Sequence, residues 1–322
     1  MKIRWYLISS GRLKEQQPLT NWPAMDKSKL SESWFDIEDA KPEEILNFLA
    51  PLGLHPVMVK RCSDSASTPG VISYDNALLL EFPVALNLDS LDPTFLTIVL
   101  RGPVLITIRS CPMPAIEELL SDIASEKIPS VSHLIQIVYL ILDELTDLSV
   151  KAETEARDKT LNIAKTLVDN PATVKASDLA NLRLQVEKLI SLIENQLYCV
   201  TALDSSDNEA LVDRHRKAYV KDLLSELEIA QMGIQRLETR VNGLYDSYQA
   251  MGNSRVEKRL RILTIISAIT LPFSLIAGLL GMNVGGLPGL QDPQGFVIVI
   301  ILMAVIGAVE LLFFKRKGWL DY

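Results

Sequence analysis

The chain has little of what builds metal centres or disulfide frameworks from neighbouring residues. Its 322 residues include only three cysteines and three histidines. Cys62, Cys111 and Cys199 show no paired spacing, which argues against a zinc ribbon or a disulfide frame and fits a reducing compartment. The histidines, at positions 55, 133 and 215, are equally scattered. A metal site formed by a short histidine motif is therefore not expected.

Sequence signals of enzymes and of secretion are also missing. No Gly-x-x-x-x-Gly-Lys-Ser/Thr loop occurs, which argues against ATP hydrolysis. The sequence shows no nucleophile, base and orienting residue in a recognisable arrangement, so no enzyme activity is predicted. The first residues, Met1 to Ile8, have no apolar core of signal-peptide length before polar residues follow. The N-terminal part is therefore expected to stay in the cytoplasm.

Charge is unevenly distributed along the chain. Residues 1–254 hold 25 basic and 36 acidic residues, a formal net charge of −11. Such a surface repels nucleic acid and attracts cations, although a solvated acidic surface is the ordinary interpretation. Nucleic acid is therefore not expected as a partner.

Two long apolar runs lie near the C-terminus. The first, residues 262–281, is an uncharged run of 20 residues, and the second, residues 296–314, contains Glu310 as its one charged residue. A helix of about 20 residues crosses the hydrocarbon core of a bilayer, which is roughly 30 Å thick. The sequence therefore predicts a multi-pass membrane protein with a large soluble part. Glu310 is expected to pair with Arg259 or Arg261 at the membrane boundary.

Basic residues flank these runs on one side of the predicted membrane. Four precede the first run (Arg255, Lys258, Arg259, Arg261) and three follow the second (Lys315, Arg316, Lys317), whereas the connecting residues 282–295 carry one charge, Asp292. By the positive-inside rule, both termini are predicted to be cytoplasmic and the connection to face outward.

The first 130 residues mix short strand-like and helix-like segments. Five β-branched or aromatic segments bounded by turn residues predict strands (Met1–Ile8, Ser33–Ile37, Ala77–Phe82, Phe95–Leu100, Val104–Ile108). Pro42–Leu52 and Ala115–Ser125 are predicted to be helices. The fold class is therefore an α+β domain, a small sheet with helices, followed by long helices and two C-terminal transmembrane helices.

From Val131 onward helical periodicity dominates. Val131–Val168 is predicted to form one helix, and a second, capped by Ser177, runs to about Leu203, so that the two form a hairpin. From Glu209 to Gly281 no strong break occurs, and a continuous helix there would be about 110 Å long. Isolated helices of this length need lateral partners, which favours packing on the hairpin and an oligomer around a shared axis.

One face of the first apolar run combines small and hydroxylated residues with leucines. At 100° per residue these positions fall within about an 80° sector of the helix (Leu260, Thr264, Ser267, Leu271, Ser274, Gly278, Met282). Two interpretations remain open at this point. Small residues let membrane helices pack closely, and the same stripe suits the lining of a pore.

The C-terminal third resembles the CorA family of divalent-cation transporters. The resemblance rests on Tyr245, Asn253, residues 263–266, Leu271-Pro272, residues 276–278, the triplet Gly281-Met282-Asn283 and the tail 315–320. Weaker but collinear similarity appears upstream, at residues 34–37, 42–44, 53–56 and 105–108. A Gly-Met-Asn triplet at the outer end of the first of two C-terminal spans is a specific signal of this family.

This resemblance implies a funnel-shaped homopentamer with a central pore formed by the first spans. Ion selectivity falls on Gly281, Met282 and Asn283, and the pore positions of the family fall on Leu263, Leu271 and Ser274. Asp222 aligns with a position that binds a regulatory ion between subunits; a solvated helix carboxylate is the alternative. No cofactor is expected beyond a transported or regulatory metal, Mg²⁺ or Zn²⁺.

Two departures from the family pattern leave the transported ion open. Glu257 stands at the cytoplasmic mouth of the pore, where many relatives have an amide. The loop Asn283-Val284-Gly285-Gly286-Leu287-Pro288 is similar to that of the zinc-transporting ZntB branch. Mg²⁺ transport, with Co²⁺ and Ni²⁺ as further ions, is thus weighed against proton-coupled Zn²⁺ transport. A membrane-anchored scaffold or sensor is a hypothesis of another class.

The predicted organisation divides the chain into seven parts. Residues 1–130 form a cytoplasmic α/β domain, 131–205 a helical hairpin and 206–261 the cytoplasmic part of a stalk helix. The pore-lining first span comprises 262–281, the outer loop 282–295, the second span 296–314 and the basic cytoplasmic tail 315–322. The expected location is a cell inner membrane.

Overall fold

The computed structural model describes residues 1–9, 11–16, 31–64, 68–85, 93–125, 131–206, 216–282 and 294–319. Two compact units are present, residues 1–244 and residues 245–322. Asn283 and the loop that follows it, Val284–Pro288, lie outside the described residues.

The first unit contains a mixed sheet of seven strands: β1 (Lys2–Ser9), β2 (Arg12–Gln16), β3 (Ser33–Glu38), β4 (Gly70–Tyr74), β5 (Ala77–Ala85), β6 (Pro93–Arg101) and β7 (Val104–Arg109). Their order is β2-β1-β3-β7-β6-β5-β4. Only β3 and β7 pair in parallel, with Phe35 opposite Ile106, and the other neighbours are antiparallel. The five strands predicted from the sequence are present.

Seven α-helices accompany the sheet in the described residues: α1 (Pro42–Leu49), α2 (Pro56–Ser63), α3 (Pro114–Ala124), α4 (Leu134–Asp169), α5 (Ala176–Asp204), α6 (Arg216–Leu280) and α7 (Gly295–Arg316). The predicted helix over 42–52 is a helix to Leu49 and a 3₁₀ turn from Ala50 to Leu52. Ser177 does not cap α5, because the helix begins at Ala176 after Lys175. Ser177 instead donates its hydroxyl to Asp178.

Alternating apolar side chains of the central strands produce two cores. Leu78, Leu80 and Phe82 of β5 point into a core that includes residues of α3, α4, α5 and α6. Ala77 and Leu79 point to the opposite face, where α1 and α2 cover them. Because both faces are covered, β5 is buried throughout, and its sequence is apolar except for Glu81.

The three long helices pack on each other in a third cluster. Small residues of α4, Ala152 and Ala156, face Leu189 and Ile193 of α5 and Ile234 of α6. These residues recur at helical spacing on each helix, which gives each one an apolar stripe. The predicted hairpin is therefore formed by α4 and α5, and residues 216–244 of α6 complete the cluster.

A buried polar network joins β3 to β7. Asp36 and Arg109 are fully buried and form an ion pair of 3.0 Å. Thr107 donates its hydroxyl to Asp36 at 2.8 Å, and Trp34 donates its indole N–H to Thr107 at 3.0 Å. Burying charges costs several kcal/mol unless they are paired and hydrogen bonded. The network meets that requirement for the Asp36 carboxylate and helps to define the parallel register.

Candidate ion pathway

Helix α6 carries the residues that the sequence analysis assigned to a pore, and all of them are exposed. Leu260 is 57% exposed, Leu263 60% and Leu271 71%, and Thr264, Ser267, Ser274 and Gly278 are also exposed. Glu257 lies one turn earlier on the adjoining edge of this face, with 72% of its side chain exposed. We call these eight positions the pore stripe. They form a continuous face that no other part of residues 245–282 and 294–319 covers.

A different side of α6 meets α7. Phe273 lies so close to Gly307 that a Cβ atom on Gly307 would be 3.1 Å from its ring. Within residues 245–282 and 294–319, Ile265 and Phe314 are the buried apolar residues, with 9% and 7% exposure. At 100° per residue, Ile265 and Phe273 lie on the side of α6 opposite the pore stripe. Helix α7 therefore leaves the stripe uncovered.

Helix α6 is unbroken at Pro272 and continues to its end at Leu280. Pro272 lies inside the helix, as expected for a spanning helix in which nearby groups satisfy the freed carbonyl. Gly281 donates its N–H to Ala277 at 2.9 Å, and Met282 donates to Leu279 at 3.4 Å. These two residues of the Gly-Met-Asn triplet thus close the helix, and both are exposed.

Hydroxyl groups on α6 bond back to the helix itself. Thr264 donates to the carbonyl of Leu260 at 2.8 Å, and Thr270 donates to Ile266 at 2.7 Å. Back-bonding satisfies the hydroxyl hydrogen and leaves the oxygen lone pairs of Thr264 directed outward. An oxygen acceptor at this position of the stripe suits the water shell of a hydrated cation.

The expected pairing of Glu310 is not found. Arg261 pairs instead with Glu257 at 3.3 Å, and its guanidinium lies over the Trp319 ring, 5.8 Å from the centroid. The Oε2 atom of Glu310 is buried without a hydrogen-bond partner among the described residues. No local pattern in the sequence indicates Trp319 as the competitor for Arg261, because the contact joins two helices that are distant along the chain.

Asp222, the predicted regulatory residue, lies where α6 meets α4 in the first unit. Tyr139 donates its hydroxyl to Asp222 at 2.8 Å, and the ring of Tyr139 stacks on Tyr219 with centroids 4.5 Å apart. Burial, followed by the hydrogen bond to Asp222, raises the pKa of Tyr139. Asp222 is therefore held by a neutral donor from the neighbouring helix.

Further carboxylates surround this contact. Burial and then the charges of Asp147 and Asp143 raise the pKa of Glu226 to about 7. Burial and Asp147 also raise the pKa of Asp143. The pair Asp143 and Asp147 is thus half-buried against α6. Glu226 was not singled out from the sequence, although its position four residues after Asp222 places both on one face.

Metal ligands do not converge within the described part of a single chain. No group of three or more His, Cys, Asp or Glu side chains there is arranged to hold a metal ion. A metal at Asp222 would therefore need ligands from elsewhere, as the prediction of a site between subunits requires. The roles of Asp222 and of the pore stripe stay predictions.

Two of the helices in the described residues are long and apolar enough to cross a membrane. One lies within Lys217–Leu280 and the other is Gly295–Arg316, and few of their apolar residues are buried. Such exposure is costly in water and is expected for surfaces that contact lipid or other spans.

The chain is similar to metal transporters over most of its length. It is 22% identical over 301 residues to the cobalt/magnesium transport protein CorA of Thermotoga maritima, with 89% of this chain and 83% of that protein covered. It is 26% identical over 217 residues to the zinc transport protein ZntB of Vibrio parahaemolyticus, with 67% and 65% covered.

Comparison with solved structures confirms the predicted fold class. The complete structure of the CorA magnesium transporter from Methanocaldococcus jannaschii matches with a TM-score of 0.84 at 20% identity, and 99% of each chain is covered. The family model described as CorA-like Mg²⁺ transporter protein matches residues 31–316. Since that match takes in five of the seven strands, the long helices and both apolar helices, this chain belongs to the CorA family.

Proposed function

We propose that this protein transports divalent metal cations across a membrane through a pore lined by α6. The pore stripe carries this proposal, because it is exposed on the side of α6 away from α7 and ends at Gly281 and Met282. Membership of the CorA family and the transport activities named for its relatives support it. Five copies of α6 around a shared axis, with α7 outside, would bury the stripe around a central channel.

The proposed principal ion is Mg²⁺, with Co²⁺ and Ni²⁺ as further substrates. Mg²⁺ gives up its water reluctantly, so a ring of amide and backbone oxygens at Asn283 can bind its first-shell waters without removing them. This ring then selects among ions by their size and by how tightly they hold their water. In the sequence Asn283 directly follows Gly281 and Met282, the two residues after the end of α6.

Within the pore, leucines alternate with polar positions. Leu263 and Leu271 form hydrophobic constrictions that dewet when narrow. Thr264, Ser267 and Ser274 present oxygen atoms to a hydrated ion between these constrictions. Glu257 concentrates cations at the cytoplasmic mouth, since both termini are proposed to be cytoplasmic and the membrane to be a cell inner membrane.

Regulation is proposed to act through Asp222. In the first unit Asp222 lies beside three carboxylates, Asp143, Asp147 and Glu226, and burial followed by repulsion from Asp147 and Asp143 raises the pKa of Glu226. A divalent cation bridging Asp222 to a neighbouring subunit would offset this repulsion and stabilise a closed state. Asp222→Asn is expected to weaken inhibition of flux by internal Mg²⁺; unchanged inhibition would contradict the role.

Proton-coupled Zn²⁺ transport is the second candidate. The loop residues Val284 to Pro288 favour it, because they are similar to the ZntB branch, and a ZntB protein is among the relatives of this chain. In this alternative Zn²⁺ passes along the same pore stripe, and a proton gradient drives its transport.

Reconstitution into liposomes separates these functions. Uptake of Mg²⁺ and Zn²⁺ is measured side by side with and without an imposed pH gradient. Mg²⁺ uptake that ignores the gradient supports the proposal, and proton-stimulated Zn²⁺ uptake supports the second candidate. Asn283→Ala should reduce Mg²⁺ uptake while the oligomer persists, whereas Asn162→Ala, on the exposed surface of α4, should leave uptake unchanged. Absence of uptake of either ion would favour a scaffold.

A further inference from the structure

The C-terminal end of α7 closes with a Schellman motif. Trp319 donates its backbone N–H to Phe314 at 3.0 Å, and Gly318 donates to Lys315 at 3.0 Å. Gly318 has φ of 68°, a left-handed conformation that glycine adopts without the steric cost of a Cβ atom. These two bonds are the pair that defines the motif. They turn the chain back toward its own helix.

This turn places the Trp319 ring against the buried side chain of Phe314. Trp319 lies against Phe314 with centroids 5.5 Å apart, the apolar contact that commonly accompanies a Schellman motif. Phe314 is 7% exposed and makes an edge contact with Phe313. The position of the indole is therefore set by backbone bonds on one side and by packing on the other.

Arg261 of α6 lies between this indole and a carboxylate. Its Cζ atom is 5.8 Å from the Trp319 ring centroid, within the range of a cation–π contact. Its Nη2 atom donates to Oε1 of Glu257 at 3.3 Å. The side chain of Arg261 is 34% exposed and that of Glu257 is 72% exposed. Of the two, only Arg261 is held by a second partner.

We propose that Arg261 is a positioning residue that Trp319 holds beside Glu257 and that weakens cation binding by this carboxylate. The proposal rests on the proposed function, in which Glu257 surrounds the cytoplasmic mouth of the pore. Five uncompensated carboxylates around one axis would bind a divalent cation strongly and delay its release. An arginine beside each one reduces the local charge, so the ring attracts ions and still releases them.

An arginine suits this position better than a lysine. The planar guanidinium stacks on an aromatic face and donates at its edge at the same time, whereas an ammonium on a flexible stem is a point charge. Arg259 and Lys258 lie on the same turn of α6, and both are exposed. Arg259→Gln therefore removes the same charge from the same region and serves as the matched control.

Transport kinetics test the proposal. In liposomes, Arg261→Gln should lower the KM for Mg²⁺ about fivefold and lower the maximal rate by a similar factor, the effect of removing one exposed counter-charge. Trp319→Ala should act in the same direction to a smaller extent, and Trp319→Phe should stay nearer to the parent. Arg259→Gln should leave both the KM and the maximal rate unchanged. Size-exclusion chromatography checks that each variant keeps its oligomeric state.

The double variant separates a role in positioning from a role in folding. If Arg261 acts through Glu257, the substitution Arg261→Gln in a Glu257→Gln background should change KM less than about twofold. A full fivefold change in that background would overturn the proposal, as would an effect of Arg259→Gln equal to that of Arg261→Gln.

A binding measurement keeps the proposal testable if the protein transports no metal. Mn²⁺ binding to the solubilised full chain, followed by electron paramagnetic resonance, should tighten about fivefold in Arg261→Gln. The same substitution in the Glu257→Gln background should cause no tightening. Unchanged Mn²⁺ affinity in Arg261→Gln would overturn the inference. The proposed function is tested independently, because it fails if liposomes that contain the parent protein take up no metal.

Discussion

Asp36 and Arg109 form an ion pair of 3.0 Å in which neither side chain is exposed to solvent. The pair joins β3 to β7, the two strands that pair in parallel. Asp36 also pairs with Arg4 at 2.8 Å, and Arg109 also pairs with Glu38 at 2.6 Å. Breaking a buried pair costs about 3–5 kcal/mol when the remaining charge has no other partner. The stability of the first unit therefore depends on this contact more than on its surface ion pairs.

Arg109→Met is expected to destabilise the first unit by about 3 kcal/mol, the lower end of that range, because Arg4 still pairs with Asp36. Labelling of Cys62, which is 6% exposed in the core beneath the sheet, reports the opening of this unit. Its labelling rate should rise by about a hundredfold or more, read peptide by peptide by mass spectrometry.

The matched control is Arg183→Met on α5. Arg183 pairs with Glu187 at 3.2 Å, and each side chain is 52% exposed. Such a surface pair contributes about 0.5 kcal/mol or less, so the labelling of Cys62 should hardly change. Equal effects of the two substitutions would contradict the importance of the buried pair.

Glu226 makes the stability of the first unit depend on pH. Its folded-state pKa of about 7 lies above the ordinary value of 4.5, so between these values the folded state binds the proton more tightly than the unfolded state. The contribution of Glu226 to stability is therefore fully present below about pH 4.5 and is lost as the pH rises through about 7. Because this carboxyl is only partly buried, solvent screening limits the loss to about 1 kcal/mol.

Glu226→Gln should remove this dependence. In buffer with EDTA, the variant should be about 1 kcal/mol more stable than the parent at pH 8 and similar to it near pH 5. Labelling of Cys62 at both pH values measures the difference. Glu228→Gln, on an exposed position of the same helix, is the control. A gain of stability from Glu226→Gln that is equal at both pH values would show that titration is not the cause.

Gly307 is expected to tolerate no larger side chain while Phe273 is present. A Cβ atom at Gly307 would lie 3.1 Å from the Phe273 ring, and added bulk in a packed contact costs about 1–3 kcal/mol. Gly307→Val should therefore lower the thermal stability of the solubilised protein, and Phe273→Leu should partly restore it.

Gly252→Ala is the control in the same unit. Nothing lies within 4 Å of its added Cβ atom, and alanine favours a helix over glycine by about 1 kcal/mol. This substitution should leave the stability unchanged or raise it. A loss of stability from Gly252→Ala as large as that from Gly307→Val would contradict a specific contact with Phe273.

Leu271 is expected to restrict ion flow. It is 71% exposed on the pore stripe, and a ring of leucines repels water when the pore is narrow. Leu271→Ala should widen this constriction and raise Mg²⁺ uptake by liposomes by about tenfold, equivalent to about 1.4 kcal/mol of barrier.

Ile266→Ala provides the comparison for the lipid-facing side. Ile266 is 57% exposed but lies away from the stripe by helical spacing, so its truncation should leave uptake unchanged. If both substitutions raised uptake equally, the stripe would not be the ion pathway.

Much of the architecture is readable from local sequence. An uncharged run of 20 residues, its basic flanks and the absence of breaks before it predict a long helix that ends in a span, and α6 continues from Arg216 to Leu280. The Gly-Met-Asn triplet indicates the family. Two edge strands, Arg12–Gln16 and Gly70–Tyr74, and the helix Pro56–Ser63 were not predicted, because they are short and expose much of their surface.

The sequence by itself determined the two apolar helices, the long helices and the family, since apolar length and helical spacing are properties of consecutive residues. Only the tertiary structure decided which groups meet. Asp36 and Arg109 are 73 positions apart, Tyr139 and Asp222 are 83 apart, and Arg261 selects Trp319 and Glu257 over Glu310. Such pairings depend on how distant segments pack and turn, and no local periodicity encodes them.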